Sequence, residues 1–230
     1  MLVYGKNVAK EVIKRNIKIN KVYMQDNFDD EIKKELIKYP YEILKKYEMS
    51  RKIDGLNQGV ILDIENYKYC DLDDVARENA LIVILDHIED PHNFGAIIRS
   101  CEAAGVDGII IPDDRSVLVN STVIKTSVGT VFNTKIAKVK NIVNTIKALK
   151  KKGFWVVGTD MEGTNYTKID YKGSTCIVCG NEGKGMSRLV SDNCDFIATI
   201  PMNGEVNSLN ASVATAIVVF EAVRNRGNNV

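Results

Sequence analysis

The stretch CGNEGKGMS, residues 179–187, packs three glycines, a glutamate, a lysine and a serine into nine positions. A phosphate-cradling loop of the Walker type needs G-x-x-x-x-G-K-[ST], but here Lys184 stands between two glycines and no hydroxyl follows it. A dinucleotide fingerprint, G-x-G-x-x-G after the first core strand, is also absent, because EDPHNFG occupies that place. A tight turn with glycines at positive φ accounts for Gly180, Gly183 and Gly185 and leaves Glu182 without a role.

Outward from this loop, short β-branched runs alternate with helical segments, the pattern of a parallel sheet covered on both faces. Strands are expected at 81–85, 108–111, 154–158, 175–179 and 196–200, with helices at 93–104, 121–128, 141–151 and 210–226. If the strands are parallel, the loops EDPHN, GTDMEG, GNEGKGMS and PMNGEVNSLN all lie at their carboxyl ends, where open α/β sheets bind ligands. The first third reads as a separate small α/β domain, with a helix over 5–15, a strand KVYM, a lysine-rich helix over 29–38 and a strand around GVILDI. The domains expected are therefore 1–72 and 81–230, joined by a charged linker, 73–80.

Composition is that of a folded globular protein, with 45% hydrophobic and 27% charged residues and no low-complexity run. The apolar runs, such as LIVIL, fall far short of the roughly 20 residues that span a bilayer, so no membrane is expected and the protein reads as cytoplasmic. Five scattered cysteines fit reduced thiols better than a disulfide framework. Cys176 and Cys179 are three apart in a strand and point to opposite faces, so they share no metal, and His87 and His92 flank a proline turn. No metal is expected. The net charge of +1 gives no global basic field, yet residues 115–159 carry nine Lys or Arg and no acid, and residues 1–24 carry six against Glu11 alone. These are two candidate nucleic-acid faces. Arg99 lies on the expected helix 93–104 with Asn93 as its expected cap, and a guanidinium beside a capped helix start can hold a phosphate. The last helix, with Ser208 or Asn210 as its cap, is apolar on nearly all sides. Val213, Ile217, Phe220 and Val223 follow one face, widened by Ala216 and Val219, so a second subunit is expected to cover part of it.

Taken together, NFGAIIRSCEAAG, IVCGNEGKGMS and IPMNGEVNSLNASVATAI resemble, in order and spacing, the three motifs of the SpoU (TrmH) family of RNA ribose 2′-O-methyltransferases. The first third, with GKNVAKEVIKRNIKINKVYM and NQGVIL, resembles the ribosomal-protein-like RNA-binding domain of that family's ribosomal-RNA branch; Asn57 stands where a histidine is frequent. The resemblance implies a carboxyl-terminal domain tied in a deep trefoil knot and a homodimer. It implies S-adenosylmethionine as cofactor, held at Gly180, Ile200 and Leu209 with Thr159 and Met202 nearby. It further implies transfer of a methyl group to a ribose 2′-hydroxyl in RNA, a guanosine of 23S ribosomal RNA being favoured over transfer RNA. Arg99 would then contact the target, with Asn93, Glu182, Ser208 and Asn210 completing the site. A second reading is an RNA-binding module of the same fold that has lost the chemistry.

Overall fold

The computed structural model describes residues 1–227 apart from Glu182, Lys184 and Asn207. It divides into two compact units, Met1–Lys68 with Val119–Asn133, and Tyr69–Leu118 with Thr134–Val230. In the first unit the chain runs β1 (Leu2–Tyr4), α1 (Lys6–Lys14), β2 (Ile19–Gln25), α2 (Lys33–Leu36), β3 (Tyr41–Leu44), α3 (Lys46–Lys52) and β4 (Val60–Ile64). Its sheet has the order β1-β4-β2-β3, with β4 antiparallel to both neighbours and β3 parallel to β2 at the edge. Amphipathic α1 buries Val8, Ala9 and Val12, while Tyr4, Leu44, Met49 and Ile61 form a small core of their own. Three elements, β1, β3 and α3, escape the sequence pattern because three to seven residues are too few to display a period. The lysine-rich helix expected over 29–38 shrinks to α2, whose one deeply buried side chain is Leu36.

The second unit runs α4 (Leu72–Val75), β5 (Leu81–Asp86), α5 (Pro91–Ala103) and β6 (Gly108–Pro112), and after an excursion β7 (Ile136–Val139) and α7 (Ile142–Lys151). That excursion carries α6 (Ser121–Thr126) and a 3-10 turn, Thr130–Asn133, into the first unit. There Val123, Ile124 and Val131 are fully buried, and a Cβ at Gly129, where φ is +84°, would lie 2.9 Å from Glu11 Cβ on α1. The helix expected over 121–128 thus belongs by its contacts to the amino-terminal unit, which adjacency in sequence could not reveal. The chain continues through β8 (Trp155–Asn165), β9 (Thr175–Gly180), α8 (Arg188–Ser191), β10 (Phe196–Thr199) and α9 (Ala211–Asn225).

Its six strands are all parallel in the order β10-β8-β9-β5-β6-β7, as the alternating pattern required. Every residue of β5 is buried, since helices cover both faces. The segment 73–80, expected as a linker, is part of this unit: Val75, Ala76 and Ala80 sit in its core with Ile82, Ile146 and Phe154. Three apolar side chains among the charges of DLDDVAREN are enough to dock it. Edge strand β7, only four residues with Lys138 exposed among them, is not among the expected strands. β8 holds another irregularity. Its pairing with β10 jumps from Gly158 opposite Ile197 to Thr164 opposite Ala198, so 159–163 bulge out of the ladder. Among the described residues no helix is long and apolar enough to cross a membrane.

Candidate active site

The chain builds β5, β6 and β7 outward in one direction and then places β9 on the other flank of β5. That makes β5–β9 the switch point, with Asp86 in register with Gly180 at its carboxyl end. The glycine-rich loop leaves β9 here and is tied down at once. Asn181 and Gly185 exchange backbone hydrogen bonds of 3.1 and 2.8 Å, Gly183 N donates to Asn181 Oδ1 at 2.9 Å, and Asn181 Nδ2 donates to His87 O at 2.9 Å. Ser187 N donates to Asp86 Oδ2 at 2.9 Å. These amides already have acceptors, so the loop is no phosphate cradle. It is a braced hairpin joining the ends of β9 and β5. Asp86 is 2% exposed and also meets His87 Nδ1 at 2.5 Å; it is a positioning group that a strand reading of LIVILD did not single out. Its signal is an acid closing a wholly apolar strand.

The glycines serve different needs. Gly185 alone of the three has positive φ, at +64°, whereas Gly180 allows close approach: a Cβ there would lie 2.2 Å from Gly185 C and Met186 N. Gly180→Ala is expected to cost about 3 kcal/mol through forced backbone displacement. That would lower the melting temperature by roughly 6–12 °C and disorganise the loop. Differential scanning calorimetry checks this, and an unshifted transition would refute the close-packing role.

Asn93 does not cap α5. Asp90 does, accepting from His92 N at 2.9 Å, because Pro91 takes the first helical position where no N–H is needed. Asn93 lies in the first turn, 6% exposed, where its Nδ2 donates to Asp90 Oδ2 at 3.1 Å and its Oδ1 accepts from Asn210 Nδ2 at 2.9 Å. Asn210 in turn caps α9 by accepting from Ser212 N at 2.9 Å. The structure therefore brings Asn93 and Asn210 together, with Ser208 exposed two residues before the cap. Arg99 lies further along the same helix, about 9 Å beyond Asn93 and roughly 120° around the axis. It is exposed and makes no ion pair among the described residues. Glu182 lies outside the described residues.

Gly180 ends β9 and Ile200 directly follows β10, while Thr159 lies inside β8, one residue past the last β8–β9 pair, Gly158 with Val178. Thr159 Oγ1 donates to Val178 O at 3.2 Å. Ile200 and Leu209 are half-buried, and Met202 stands exposed in the loop before α9. None of these five positions carries a charged side chain, and Ile200, Met202 and Leu209 are apolar. Cys176 and Cys179 are both buried in β9, and burial raises both thiols above their ordinary range, so neither offers a thiolate. Cys194 beneath the same loop is likewise pushed up to about 12.

This geometry has known counterparts. Residues 80–220 match the SpoU rRNA Methylase family, and residues 2–70 match the RNA 2′-O ribose methyltransferase substrate-binding domain. A TrmH-family tRNA/rRNA methyltransferase of Staphylococcus saprophyticus is 42% identical over 98% of this chain and 96% of its own length. YacO of Bacillus subtilis, named for the same family, is 38% identical over 97% of this chain and 95% of its own. Among solved structures, the SpoU methyltransferase AviRb of Streptomyces viridochromogenes with its cofactor AdoMet is 25% identical, with a TM-score of 0.85 over 100% of this chain and 91% of that one. An AdoMet-bound rRNA methyltransferase of Sinorhizobium meliloti is 27% identical, with a TM-score of 0.84 over 97% and 86%. A parallel sheet with a braced glycine hairpin at its switch point, in a chain that also carries a small substrate-binding domain, thus defines an RNA methyltransferase. The chain belongs to the SpoU family of RNA 2′-O-ribose methyltransferases.

Proposed function

We propose that the protein transfers a methyl group from S-adenosylmethionine to the 2′-hydroxyl of a guanosine in 23S ribosomal RNA. The observation that carries the choice of RNA is coverage. The ribosomal-RNA methyltransferase of S. meliloti aligns over 97% of this chain, whereas a tRNA-modifying TrmH/SpoU enzyme of A. aeolicus aligns over 66%. The residues present fit the cofactor, because Ile200, Leu209 and Met202 offer apolar surface to an adenine and the main chain around Gly180 is closely packed and well ordered by hydrogen bonds. When bound, S-adenosylmethionine supplies an electrophilic sulfonium methyl group.

The chain's own residues then position the ribose. Arg99, exposed and without an ion pair among the described residues, holds the target phosphate and hydroxyl, for which a planar guanidinium is suited. The Asn93–Asn210 hydrogen bond locks the first turns of α5 and α9 together, so that Arg99 and the Ser208 loop keep one geometry. A guanidinium keeps its proton and is a poor base, so the Glu182 carboxylate is the chemically easier acceptor for the hydroxyl proton. The reaction is tested with methyl-labelled cofactor and unmodified 23S rRNA and tRNA transcripts, followed by mapping of the methylated nucleotide. Label in tRNA alone would reverse the choice of substrate, and RNA binding without label would favour an inactive RNA-binding module. A cytoplasmic location accompanies this reading.

The homodimer is also a proposal. α9 buries Val218, Val219, Ala222 and Val223 within its own unit, so of the expected stripe Val219 and Val223 belong to the core, and a charge placed at either would test folding instead of association. On the opposite side Val213 is 46% and Phe220 43% exposed, with Ala216 and Ile217 half-buried between them. That second apolar stripe is what a two-fold partner would cover. Phe220→Glu is expected to convert a dimer to monomer in multi-angle light scattering while leaving the melting temperature within a few degrees. A wild-type monomer at micromolar concentration would remove the proposal.

A further inference from the structure

The first unit carries an open groove of about 760 Å³ where β2 ends and β3 runs into α3. Its walls are of three chemical kinds. The side-chain amides of Gln25 and Asn27 line it, linked by a 2.5 Å hydrogen bond from Gln25 Nε2 to Asn27 Oδ1. Lys45 and Lys46 line it too, as does Tyr47, 55% exposed. The guanidinium of Arg51 lies over the Tyr47 ring, 5.6 Å from its centroid, and the phenol donates only a long 3.4 Å hydrogen bond to Glu48.

This unit pairs some of its cations with acids, Lys6 with Asp30, Lys21 with Glu42 and Lys38 with Glu35, and leaves others, Lys10, Lys18 and Lys34 among them, without an ion pair among the described residues. Lys45, Lys46 and Arg51 have no carboxylate partner among the described residues. Asp26 is an acid on the groove, and its Oδ1 is occupied by Asn27 N at 2.9 Å. An exposed aromatic platform backed by an arginine, flanked by unpaired lysines and by amides that can read a base edge, has the composition of a single-stranded RNA site.

We propose that this groove binds an unpaired nucleotide of the substrate RNA, its base stacked on Tyr47, its flanking phosphates on Lys45 and Lys46, and its edge met by Gln25 and Asn27. The proposal rests on the reading of the protein as an RNA methyltransferase and adds a contact remote in sequence from every motif of the methyl-transfer site. It also accounts for exposed apolar area at Tyr47 that folding leaves uncovered.

The test uses the full-length protein and an unmodified 23S rRNA transcript. Tyr47→Ala is expected to raise both the filter-binding Kd and the KM for RNA about tenfold, with kcat at saturating RNA and cofactor affinity unchanged, and Tyr47→Phe to stay within about twofold of wild type. Replacing Lys45 and Lys46 together by alanine should reduce the slope of log K against log salt by about 1.4, the loss of two single-strand phosphate contacts. Wild-type RNA affinity in Tyr47→Ala, with an unchanged salt slope in the lysine variant, would overturn the groove while methylation by the parent protein upheld the enzyme reading. If the parent methylates tRNA only and the Tyr47 effect persists on tRNA, the groove stands and the ribosomal substrate fails. A parent protein that binds neither RNA sinks both.

Discussion

Arg99→Ala is expected to lower methyl transfer at least about a hundredfold, the loss typical when one preorganised donor to developing charge is removed. Cofactor affinity and melting temperature should be unchanged. The expectation follows from two features of α5. Arg99 is exposed and unpaired among the described residues, so its removal uncovers no buried partner, whereas Ile97 and Ile98 beside it are fully buried and hold the helix. Single-turnover kinetics with labelled cofactor, alongside calorimetric cofactor binding, separates the outcomes. Activity within threefold of wild type would remove Arg99 from the mechanism, and loss of cofactor binding would make it a structural residue. Arg99→Lys is expected to recover little of the activity, because an ammonium does not reproduce a bidentate fork.

Removing residues 1–72 is expected to have a larger physical consequence than removal of a separable domain. The chain after that point still contains all the loops at the carboxyl ends of β5, β8, β9 and β10, so cofactor binding should survive wherever the fragment folds. It also contains Val119–Asn133, whose Val123, Ile124 and Val131 are buried against the unit that has been deleted. The deletion further removes Cys70, which bridges to Ala137 on β7, and Leu72, which packs on the core of the second unit. A cut at residue 68 with 119–133 replaced by a short Gly/Ser link should therefore be soluble and bind S-adenosylmethionine near the full-length affinity while methylating RNA poorly. The simple 1–72 deletion should aggregate. Size-exclusion chromatography and calorimetry on the two fragments decide this; equal solubility would mean that the 119–133 contacts contribute little.

Much of the methyltransferase unit was legible in the sequence for a local reason. Parallel strands buried on both faces must be continuous apolar runs, so LIVILD, TCIVCG and GIIIP declare themselves, and the helices between them show their period over ten or more residues. A parallel sheet also sends successive carboxyl ends to one edge, which is where Gly180 and Ile200 fall, at the end of β9 and just after β10. The Asn210 cap was local too, since a cap speaks to its own next turn.

What only the tertiary structure decided are the relations between segments far apart in the chain. Asn93 was read as a cap because it precedes an apolar period, yet Asp90 with Pro91 takes that place, which frees Asn93 to meet Asn210 across 117 positions. Asp86 holds Ser187 N across 101 positions, and that hydrogen bond, with those of Asn181, braces the glycine loop as a hairpin in which the amides of Asn181, Gly183, Gly185 and Ser187 already have acceptors. The allegiance of Val119–Asn133 to the amino-terminal unit, and the inward face of α9 that takes Val219 and Val223 from the candidate interface, are of the same kind. Periodicity reports which side chains avoid water; which neighbour excludes that water is set by packing between elements that have no local code for one another.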